Sequence, residues 1–279
     1  MGRIKLISLD LDGTLLDSRR RLSERNRSAL QRAKEHGMII VISTGSPYQL
    51  IPFKLFYGIE IDYAITANGG ALYDYQSGCC IFEETIPYTV ANDVMSFLAK
   101  HDVHTDYFVD GKGYTPRKCK EIIEKLRVPE SRKVYLQSNR TWVDNMNEIV
   151  TEHSNQIQKI TINFYQDSNG QLVEYEEVKN WFVRKKELNM TTGVKDNLEI
   201  TRSNVDKGMA LDRLSDILNI DMESIMAFGD SLNDLSVIEK AGIGIAMGNS
   251  MEDIFCKADI IAGTNDEDGV AIEIEKILP

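Results

Sequence analysis

Apolar runs alternate with an amphipathic segment in the first part of the chain. Ile4–Leu9, Met38–Ile42 and Tyr63–Ala67 are short, mainly apolar runs, and this pattern predicts strands that are buried on both faces of a sheet. The segment between the first two runs predicts a helix, with Ser23 as its N-cap and Gly37 at its end. A strand, a helix and a second strand in this order predict a right-handed parallel unit.

The pattern changes after the third run. Pro47 is expected to begin a helix that continues through Leu55. The segments Ala71–Tyr75 and Cys80–Glu84 alternate in the manner of a β-hairpin. The following hundred or so residues combine alternating strands with amphipathic helices, a mixture typical of an α+β domain.

The parallel-sheet pattern returns near residue 191. Asn197–Thr201 is expected to be its first short strand, and Ser224–Phe228 predicts a buried strand. We therefore predict an α/β fold, with a Rossmann-like parallel-sheet core and an inserted α+β cap domain. The predicted boundaries are 1–84 and 191–279 for the core and 85–190 for the cap.

Composition limits the function classes. The chain has 279 residues, 42% of them hydrophobic, and a formal net charge of -11. The apolar fraction is sufficient for buried cores. The acidic balance argues against nucleic acid or an anionic membrane as the main partner. It leaves a small phosphorylated ligand open, because a bound metal ion outweighs the global charge locally. No apolar run approaches transmembrane length.

The cysteines and the first residues suggest a cytoplasmic protein. There are four cysteines and neither a Cys-x-x-Cys motif nor a histidine cluster, so we expect reduced thiols and no zinc site. Met1-Gly2-Arg3 leads directly into the first predicted strand, which leaves no room for a signal peptide.

Two aspartates follow the first predicted strand. Asp10 and Asp12 are two positions apart, so an extended chain would direct both carboxylates to the same side. Like charges at this distance require a neutralising partner, and a hard cation with oxygen ligands, usually Mg²⁺, is the natural one. Gly13 permits a sharp turn. One carboxylate on the metal ion and another free to attack would form a phosphoryl-transfer site, whereas an isolated Asp12-Gly13 would be only a turn.

A second group of polar residues follows later strands. Asp230 and Asp234 lie at and after the end of the predicted strand 224–228, and Lys207 begins a predicted helix. Each has a plain structural explanation: Asp234 would interact with a helix dipole, Lys207 would be a solvated lysine, and Thr44 would cap a strand end. A phosphate group would give them a shared function instead, with the hydroxyl and backbone N–H of Thr44 and the ammonium of Lys207 contacting its oxygens.

Four motifs together resemble the haloacid dehalogenase superfamily, in particular its Cof-type phosphatase branch with an inserted α/β cap. The motifs, in chain order, are Asp10-Leu11-Asp12-Gly13-Thr14, Ser43-Thr44-Gly45, Asn204-Val205-Asp206-Lys207-Gly208 and Gly229-Asp230-Ser231-Leu232-Asn233-Asp234. Asn68-Gly69-Gly70 and Ala246-Met247-Gly248-Asn249 are similar to further pieces of the family.

The resemblance implies roles for the matched residues. Asp10 would be the nucleophile that forms an aspartyl phosphate, and Asp12 the general acid and base. The implied phosphate-binding residues are Thr44, Gly45, Lys207 and Asn233. The implied Mg²⁺ site consists of Asp10, the backbone carbonyl of Asp12, Asp230 and Asp234. The family usually has arginine after the Thr-Gly of the second motif, where this chain has Ser46, and this departure concerns the substrate class.

Three functions remain open from the sequence. The first is a Mg²⁺-dependent phosphatase for small phosphorylated metabolites, such as a sugar phosphate, pyridoxal phosphate or an FMN-like compound, with specificity set by the cap. The second is a phosphomutase, because related phosphomutases share the core and the aspartyl phosphate. The third is a non-catalytic protein that binds a phosphorylated ligand on the same fold. Neither the substrate nor the oligomeric state follows from the sequence.

Overall fold

The computed structural model describes residues 4–138 and 140–279, so the expectation about Met1-Gly2-Arg3 lies outside the described residues. The chain forms two compact units. The first consists of Met1–Ser46, Ile51–Glu83 and Asp206–Pro279, and the second of Pro47–Leu50 and Glu84–Val205. We call the first the core unit and the second the cap unit.

The N-terminal part of the core unit follows the predicted pattern of strands and helix. Ser23 caps the helix, since its side chain accepts a hydrogen bond from the N–H of Asn26. The elements, in order, are β1 Leu6–Leu9, α1 Glu24–Glu35, β2 Ile39–Ser43, β3 Tyr63–Thr66, β4 Ala71–Asp74 and β5 Cys80–Glu83. The predicted hairpin is thus formed by β4 and β5, which pair antiparallel.

The predicted helix from Pro47 is wrong. Two short 3-10 turns occupy this stretch, Tyr48–Leu50 and Phe53–Phe56. Pro52 lies between them, and a proline inside a helix lacks the N–H group that the helix requires.

The cap unit is a mixed, mainly antiparallel sheet with helices. Its elements are α2 Tyr88–Leu98, β6 His104–Val109, β7 Lys112–Pro116, α3 Cys119–Lys125, α4 Glu130–Gln137, β8 Thr141–Val143, α5 Met146–Glu152, β9 Ile157–Asn163, α6 Tyr175–Val183, β10 Leu188–Thr191 and β11 Asn197–Arg202. Within the described residues the strand order is β10-β11-β9-β6-β7-β8. Apolar side chains of β6 and β9 join residues of α2, α5 and α6 in one apolar cluster, although every residue of these two strands is buried, the polar ones included.

The placement of Asn197–Thr201 in the core is also wrong. This segment is β11, which pairs antiparallel with β9 and with β10. Its composition allows a strand in either sheet, and long-range pairing decides between them. The cap unit accordingly extends to Val205 rather than ending at residue 190.

The C-terminal part completes the core sheet. Its elements are α7 Lys207–Leu218, β12 Ile225–Gly229, α8 Leu235–Lys240, β13 Ile243–Ala246, α9 Glu252–Phe255, β14 Ile260–Ile261 and α10 Gly269–Ile277. The described strands have the order β14-β13-β12-β1-β2-β3-β4-β5, and β1 pairs in parallel with both β2 and β12. The carboxyl ends of these three strands therefore meet at one edge of the sheet, where open α/β sheets bind ligands.

Two further observations concern the whole described chain. In the residues that the structure describes, no helix combines the length and apolarity needed to cross a bilayer. All four cysteines are thiols, with Cys119 buried and the other three exposed.

Candidate active site

Asp10 is the first residue after β1, and its N–H donates to the carbonyl of Phe228 at 3.2 Å. The side chain is buried, with 7% exposure. The chain turns at once after Asp10, because the N–H of Leu15 donates to the Asp10 carbonyl at 3.2 Å. This turn separates the directions of the Asp10 and Asp12 side chains.

Lys207 is at the centre of the site. It is 0% exposed, which excludes a solvated surface lysine. Its Nζ donates to Oδ1 of Asp10 at 2.6 Å and to Oδ1 of Asp234 at 2.5 Å. It is the first residue of α7, whose N-cap Asp206 accepts a hydrogen bond from the N–H of Met209 at 2.7 Å. Two carboxylates thus compensate a cation at the positive end of a helix.

Asp234 organises the loop after β12. Its Oδ2 accepts the N–H groups of Asp230 and Ser231, each at 3.1 Å, while Oδ1 contacts Lys207. Asp230 accepts hydrogen bonds from Thr14 Oγ1 at 3.0 Å and from Ser231 Oγ at 3.1 Å. An interaction with the helix dipole alone therefore does not explain Asp234, because its carboxylate also holds Lys207 and the backbone of the loop at Asp230 and Ser231.

The carboxylates at this edge perturb one another. Burial raises the pKa of Asp10 well above its ordinary value; Lys207 opposes the rise, whereas Asp234 and Asp230 add to it. Burial, followed by the charge of Asp234, raises the pKa of Asp230 to about 7 against the hydrogen bonds from Thr14 and Ser231. Burial would lower the pKa of Lys207, but Asp10 and Asp234 outweigh it and the pKa is raised, so the lysine stays charged.

These residues fit a hard divalent cation. Asp10, Asp230 and Asp234 each offer a carboxylate oxygen within 4.8 Å of the others. Three ionised carboxylates beside one ammonium leave an excess of two negative charges, which one Mg²⁺ ion would neutralise. Oxygen donors alone are the set that Mg²⁺ prefers.

Thr44 follows β2 at the same edge and is buried, with 3% exposure. Its hydroxyl accepts the N–H of Ser46 at 3.1 Å, which leaves the hydroxyl proton for an acceptor. Its backbone N–H donates to the carbonyl of Ile65 at 2.8 Å. The expectation that this N–H contacts a phosphate oxygen is therefore wrong, because β3 uses it. Gly45, the next residue, is partly exposed.

Asn233 and Asn68 form a pair beside the site. Nδ2 of Asn233 donates to Oδ1 of Asn68 at 3.2 Å. Asn68 is buried and has φ of +55°. The following residue, Gly69, has φ of +94°, and a Cβ atom there would lie 2.1 Å from the carbonyl oxygen of Asp206. This close approach requires glycine and sets the start of α7 against the Asn68 loop.

The Asp12 carboxylate does not join the cluster that the described residues form. Its side chain is 47% exposed, and Oδ1 lies 2.7 Å from Nη1 of Arg20. The prediction that Asp10 and Asp12 direct their carboxylates to the same side assumed an extended chain, and the turn after Asp10 removes that basis.

Several supporting residues are not evident from the sequence. Thr14 and Ser231 hold the Asp230 carboxylate, and Nδ2 of Asn249 donates to the carbonyl of Gly13 at 2.8 Å. Threonine, serine and asparagine in loops have many uses. Their membership in the motif segments is the available signal for Thr14, Ser231 and Asn249.

The comparisons with known proteins agree with this fold. Residues 7–274 match the model of the family described as haloacid dehalogenase-like hydrolase. The chain belongs to this family, as its four motifs suggest. The predicted α/β fold class is confirmed.

Individual relatives are similar over nearly their whole length. The Phosphatase YwpJ of Bacillus subtilis (strain 168) is 32% identical over 293 residues, which cover 99% of this chain and 100% of the relative. The 5-amino-6-(5-phospho-D-ribitylamino)uracil phosphatase YcsE of the same organism is 30% identical and covers 96% of this chain and 93% of the relative. A solved haloacid dehalogenase-like hydrolase from B. subtilis has a TM-score of 0.85 and 31% identity, covering 98% of this chain and 99% of the other. The predicted enzyme class, a phosphoric monoester hydrolase, is confirmed by these relatives.

Proposed function

We propose that this protein is a Mg²⁺-dependent phosphatase that hydrolyses small phosphorylated metabolites through an aspartyl phosphate on Asp10. The observation that carries the proposal is the position of Lys207, whose Nζ lies 2.6 Å from Oδ1 of Asp10 and 2.5 Å from Oδ1 of Asp234. A buried ammonium held beside a carboxylate at the carboxyl edge of a parallel sheet suits the transfer of an anionic phosphoryl group.

In the first half-reaction, a carboxylate oxygen of Asp10 attacks phosphorus. The new bond joins that oxygen to phosphorus, and the bond between phosphorus and the ester oxygen breaks. Lys207, the Thr44 hydroxyl, the Gly45 N–H and the Asn233 amide would hold the phosphoryl oxygens. The leaving oxygen takes a proton from the carboxyl group of Asp12.

In the second half-reaction, water attacks the phosphorus of the aspartyl phosphate. Asp12, now ionised, accepts a proton from this water, and the bond between Asp10 and phosphorus breaks. Inorganic phosphate and the original carboxylate result. Mg²⁺, held by Asp10, Asp230, Asp234 and the Asp12 carbonyl, would neutralise negative charge on the phosphoryl group.

The substrate proposal is a small phosphorylated metabolite, with the cap unit setting specificity. The phosphatase YcsE, which is 30% identical to this chain over 274 residues, carries in its name a phosphorylated ribityl compound. The candidate substrates are sugar phosphates, pyridoxal phosphate and FMN-like compounds, and this relative favours the FMN-like class. Ser46 occupies the position at which the family usually has arginine.

We propose a cytoplasmic location, since the exposed thiols of Cys79 and Cys256 suit a reducing compartment.

A screen of phosphorylated metabolites tests the proposal. The purified protein is incubated with each compound in MgCl₂ or in excess EDTA, and inorganic phosphate is measured. We expect release from at least one sugar phosphate, pyridoxal phosphate or flavin-type phosphate, and none in EDTA or with Asp10→Asn. Turnover in EDTA contradicts the metal requirement. Isomer formation without phosphate release identifies a phosphomutase, and inert protein across the panel favours the non-catalytic binding role.

A further inference from the structure

Arg20 forms an ion pair with Asp12 from a backbone conformation that arginine rarely adopts. Nη1 of Arg20 lies 2.7 Å from Oδ1 of Asp12, and φ of Arg20 is +57°. In this left-handed region the Cβ atom crowds the following carbonyl oxygen. A half-exposed ion pair contributes little to stability, so it does not account for the conformation. Unfavourable backbone conformations of this kind are concentrated at functional sites.

The turn that carries Arg20 is built by Asp17. Oδ1 of Asp17 accepts the N–H groups of Arg19 at 2.9 Å and of Arg21 at 2.8 Å, while Oδ2 accepts Nε of Arg21 at 2.8 Å. The N–H of Arg20 donates to the Asp17 carbonyl at 2.8 Å. These bonds fix the backbone on both sides of Arg20, and therefore fix the direction in which its side chain leaves the turn.

The same turn is attached to the rest of the core unit. The N–H of Ser18 donates to Oδ1 of Asp266 at 2.8 Å, and Nδ2 of Asn265 donates to the carbonyl of Leu16 at 2.8 Å. Arg20 therefore meets Asp12 from a segment held in place by residues near the C-terminal helix. These two hydrogen bonds hold the backbone that carries Arg20, as would not be needed for an arginine without a defined position.

The position of Asp12 outside the carboxylate cluster agrees with a role at the leaving group. In an in-line displacement the leaving oxygen lies opposite the attacking oxygen. An acid that serves this oxygen must lie away from the attacking carboxylate of Asp10 and its neighbours. The ion pair joins Nη1 of Arg20 to Oδ1 of Asp12, so proton transfer by this carboxylate would use Oδ2.

We propose that Arg20 is a positioning residue for Asp12: it holds one oxygen of the carboxylate so that the other meets the leaving group and, later, the attacking water. This inference rests on the proposed function, since it requires Asp12 to be the general acid and base. Arg20 itself does not contact the reacting atoms.

The test compares four variants with two substrates. Arg20→Ala, Arg20→Lys, Asp12→Ala and the double variant Asp12→Ala/Arg20→Ala are assayed in MgCl₂ with p-nitrophenyl phosphate and with the best alkyl phosphate from the metabolite screen. The first leaving group is acidic and needs little proton donation, whereas the second needs a general acid. Arg19→Ala is the matched control, because Arg19 is the exposed neighbour in the same turn and contributes its backbone N–H to Asp17.

We expect Arg20→Ala to lower kcat for the alkyl phosphate roughly fivefold, the rate equivalent of a well-formed exposed ion pair. The loss with p-nitrophenyl phosphate should be smaller and KM unchanged. Arg20→Lys should recover part of the loss, because the cation is retained. In the Asp12→Ala background, Arg20→Ala should have no further effect. Arg19→Ala should keep wild-type rates.

Two results would overturn the inference in distinguishable ways. If Asp12→Ala loses the same factor with both leaving groups, Asp12 is not the general acid, and the proposed function of Asp12 and the role of Arg20 fail together. If Asp12→Ala shows the leaving-group difference but Arg20→Ala does not, or if the two losses multiply in the double variant, only the positioning role of Arg20 fails. A merely structural arginine would change both substrates equally.

Discussion

Gly13 leaves the space that the Asp230 carboxylate occupies. A Cβ atom on Gly13 would lie 2.5 Å from Oδ2 of Asp230, and φ of Gly13 is +86°. The next residue, Thr14, donates its hydroxyl to the other oxygen of the same carboxylate at 3.0 Å. The loop after β1 therefore determines where a carboxylate from the loop after β12 lies, although the two loops are far apart in sequence.

Gly13→Ala should lower both stability and turnover. The positive φ alone costs about 1–2 kcal/mol with a Cβ atom, and the contact with Asp230 adds to it. Displacing this carboxylate should lower kcat at least about tenfold, because small shifts of catalytic groups have large effects on rate. The measurements are kcat and the free energy of unfolding in denaturant.

Gly37→Ala is the control for that experiment. Gly37 has φ of +78° and nothing within 4 Å of its added Cβ atom. Gly37→Ala should lose the stability that the positive φ costs and should keep wild-type turnover. Equal turnover of the two variants would mean that the Gly13–Asp230 contact does not position the site.

Asp10→Asn should be inactive but no less stable than the wild type in EDTA. An amide does not attack phosphorus. The pKa of Asp10 is raised in the folded protein, first by burial, so ionisation of Asp10 opposes folding above the ordinary carboxyl pKa of 3.8. The amide removes that cost, and Lys207 keeps its buried ion pair with Asp234. Denaturant unfolding at pH 7 in EDTA measures the difference in unfolding free energy between the wild type and Asp10→Asn.

In Mg²⁺ the wild type should become more stable than Asp10→Asn, the reverse of the order expected in EDTA. At a hundred times Kd a bound ion stabilises the fold by about 2.7 kcal/mol, and the wild type should gain more than Asp10→Asn because the variant lacks one ligand. Residual turnover in purified Asp10→Asn, or equal stabilisation of both proteins by Mg²⁺, would refute the assignment of Asp10 as nucleophile or as ligand, respectively.

Arg140→Met should strongly destabilise the cap unit. Nε of Arg140 donates to Oδ2 of Asp106 at 3.1 Å, and both side chains are 1% exposed. Removing one partner of a buried pair costs about 3–5 kcal/mol, whereas replacing both by apolar residues costs less. Arg140→Met/Asp106→Leu should therefore be more stable than Arg140→Met. Lys125→Met, which breaks the exposed pair with Asp102, should cost under about 1 kcal/mol.

The stability of the cap unit should depend on pH through His104. This residue is 0% exposed and accepts a hydrogen bond from Nδ2 of Asn163 at Nδ1, at 2.9 Å. Burial lowers its pKa; Asp106 opposes this, and Arg140 and Arg132 add to the lowering. Below the ordinary pKa of 6.5, His104 binds a proton in the unfolded chain but stays neutral in the folded chain. The free energy of unfolding therefore falls as the pH falls.

His104→Gln should remove that dependence. The contribution of His104 changes by at most about 1.4 kcal/mol per pH unit. The difference in unfolding free energy between wild type and variant, measured at pH 7 and at pH 5.5, should therefore become less favourable to the wild type at the lower pH. The same difference at both values would show that His104 does not titrate in the unfolding equilibrium.

Local patterns predict the elements that frame the site. The apolar run ending at Leu9 and the N-cap Ser23 each have a short-range cause, and the structure confirms both. The position of Lys207 could be inferred only from its motif, because its burial depends on Asp10 and Asp234, which belong to distant segments.

Two failures have different causes, one long-range and one local. Asn197–Thr201 has a strand composition, but its neighbours β9 and β10 decide the sheet to which it belongs. The direction of Asp12 depends on the turn that the Leu15 N–H closes on the Asp10 carbonyl. Alternation along a strand describes side chains only while the backbone remains extended.

The pairing of β1 with both β2 and β12 has a consequence for protein synthesis. While the ribosome makes residues 84–205, which form most of the cap unit, β1 has only β2 beside it and its other edge is unpaired. Domains generally fold as units during translation, and an open strand edge favours association with other chains. Asp10 is thus made before residues 84–205, whereas Asp230 and Asp234 are made after them, so the buried carboxylate cluster that these three residues form assembles only once the loop after β12 has been added.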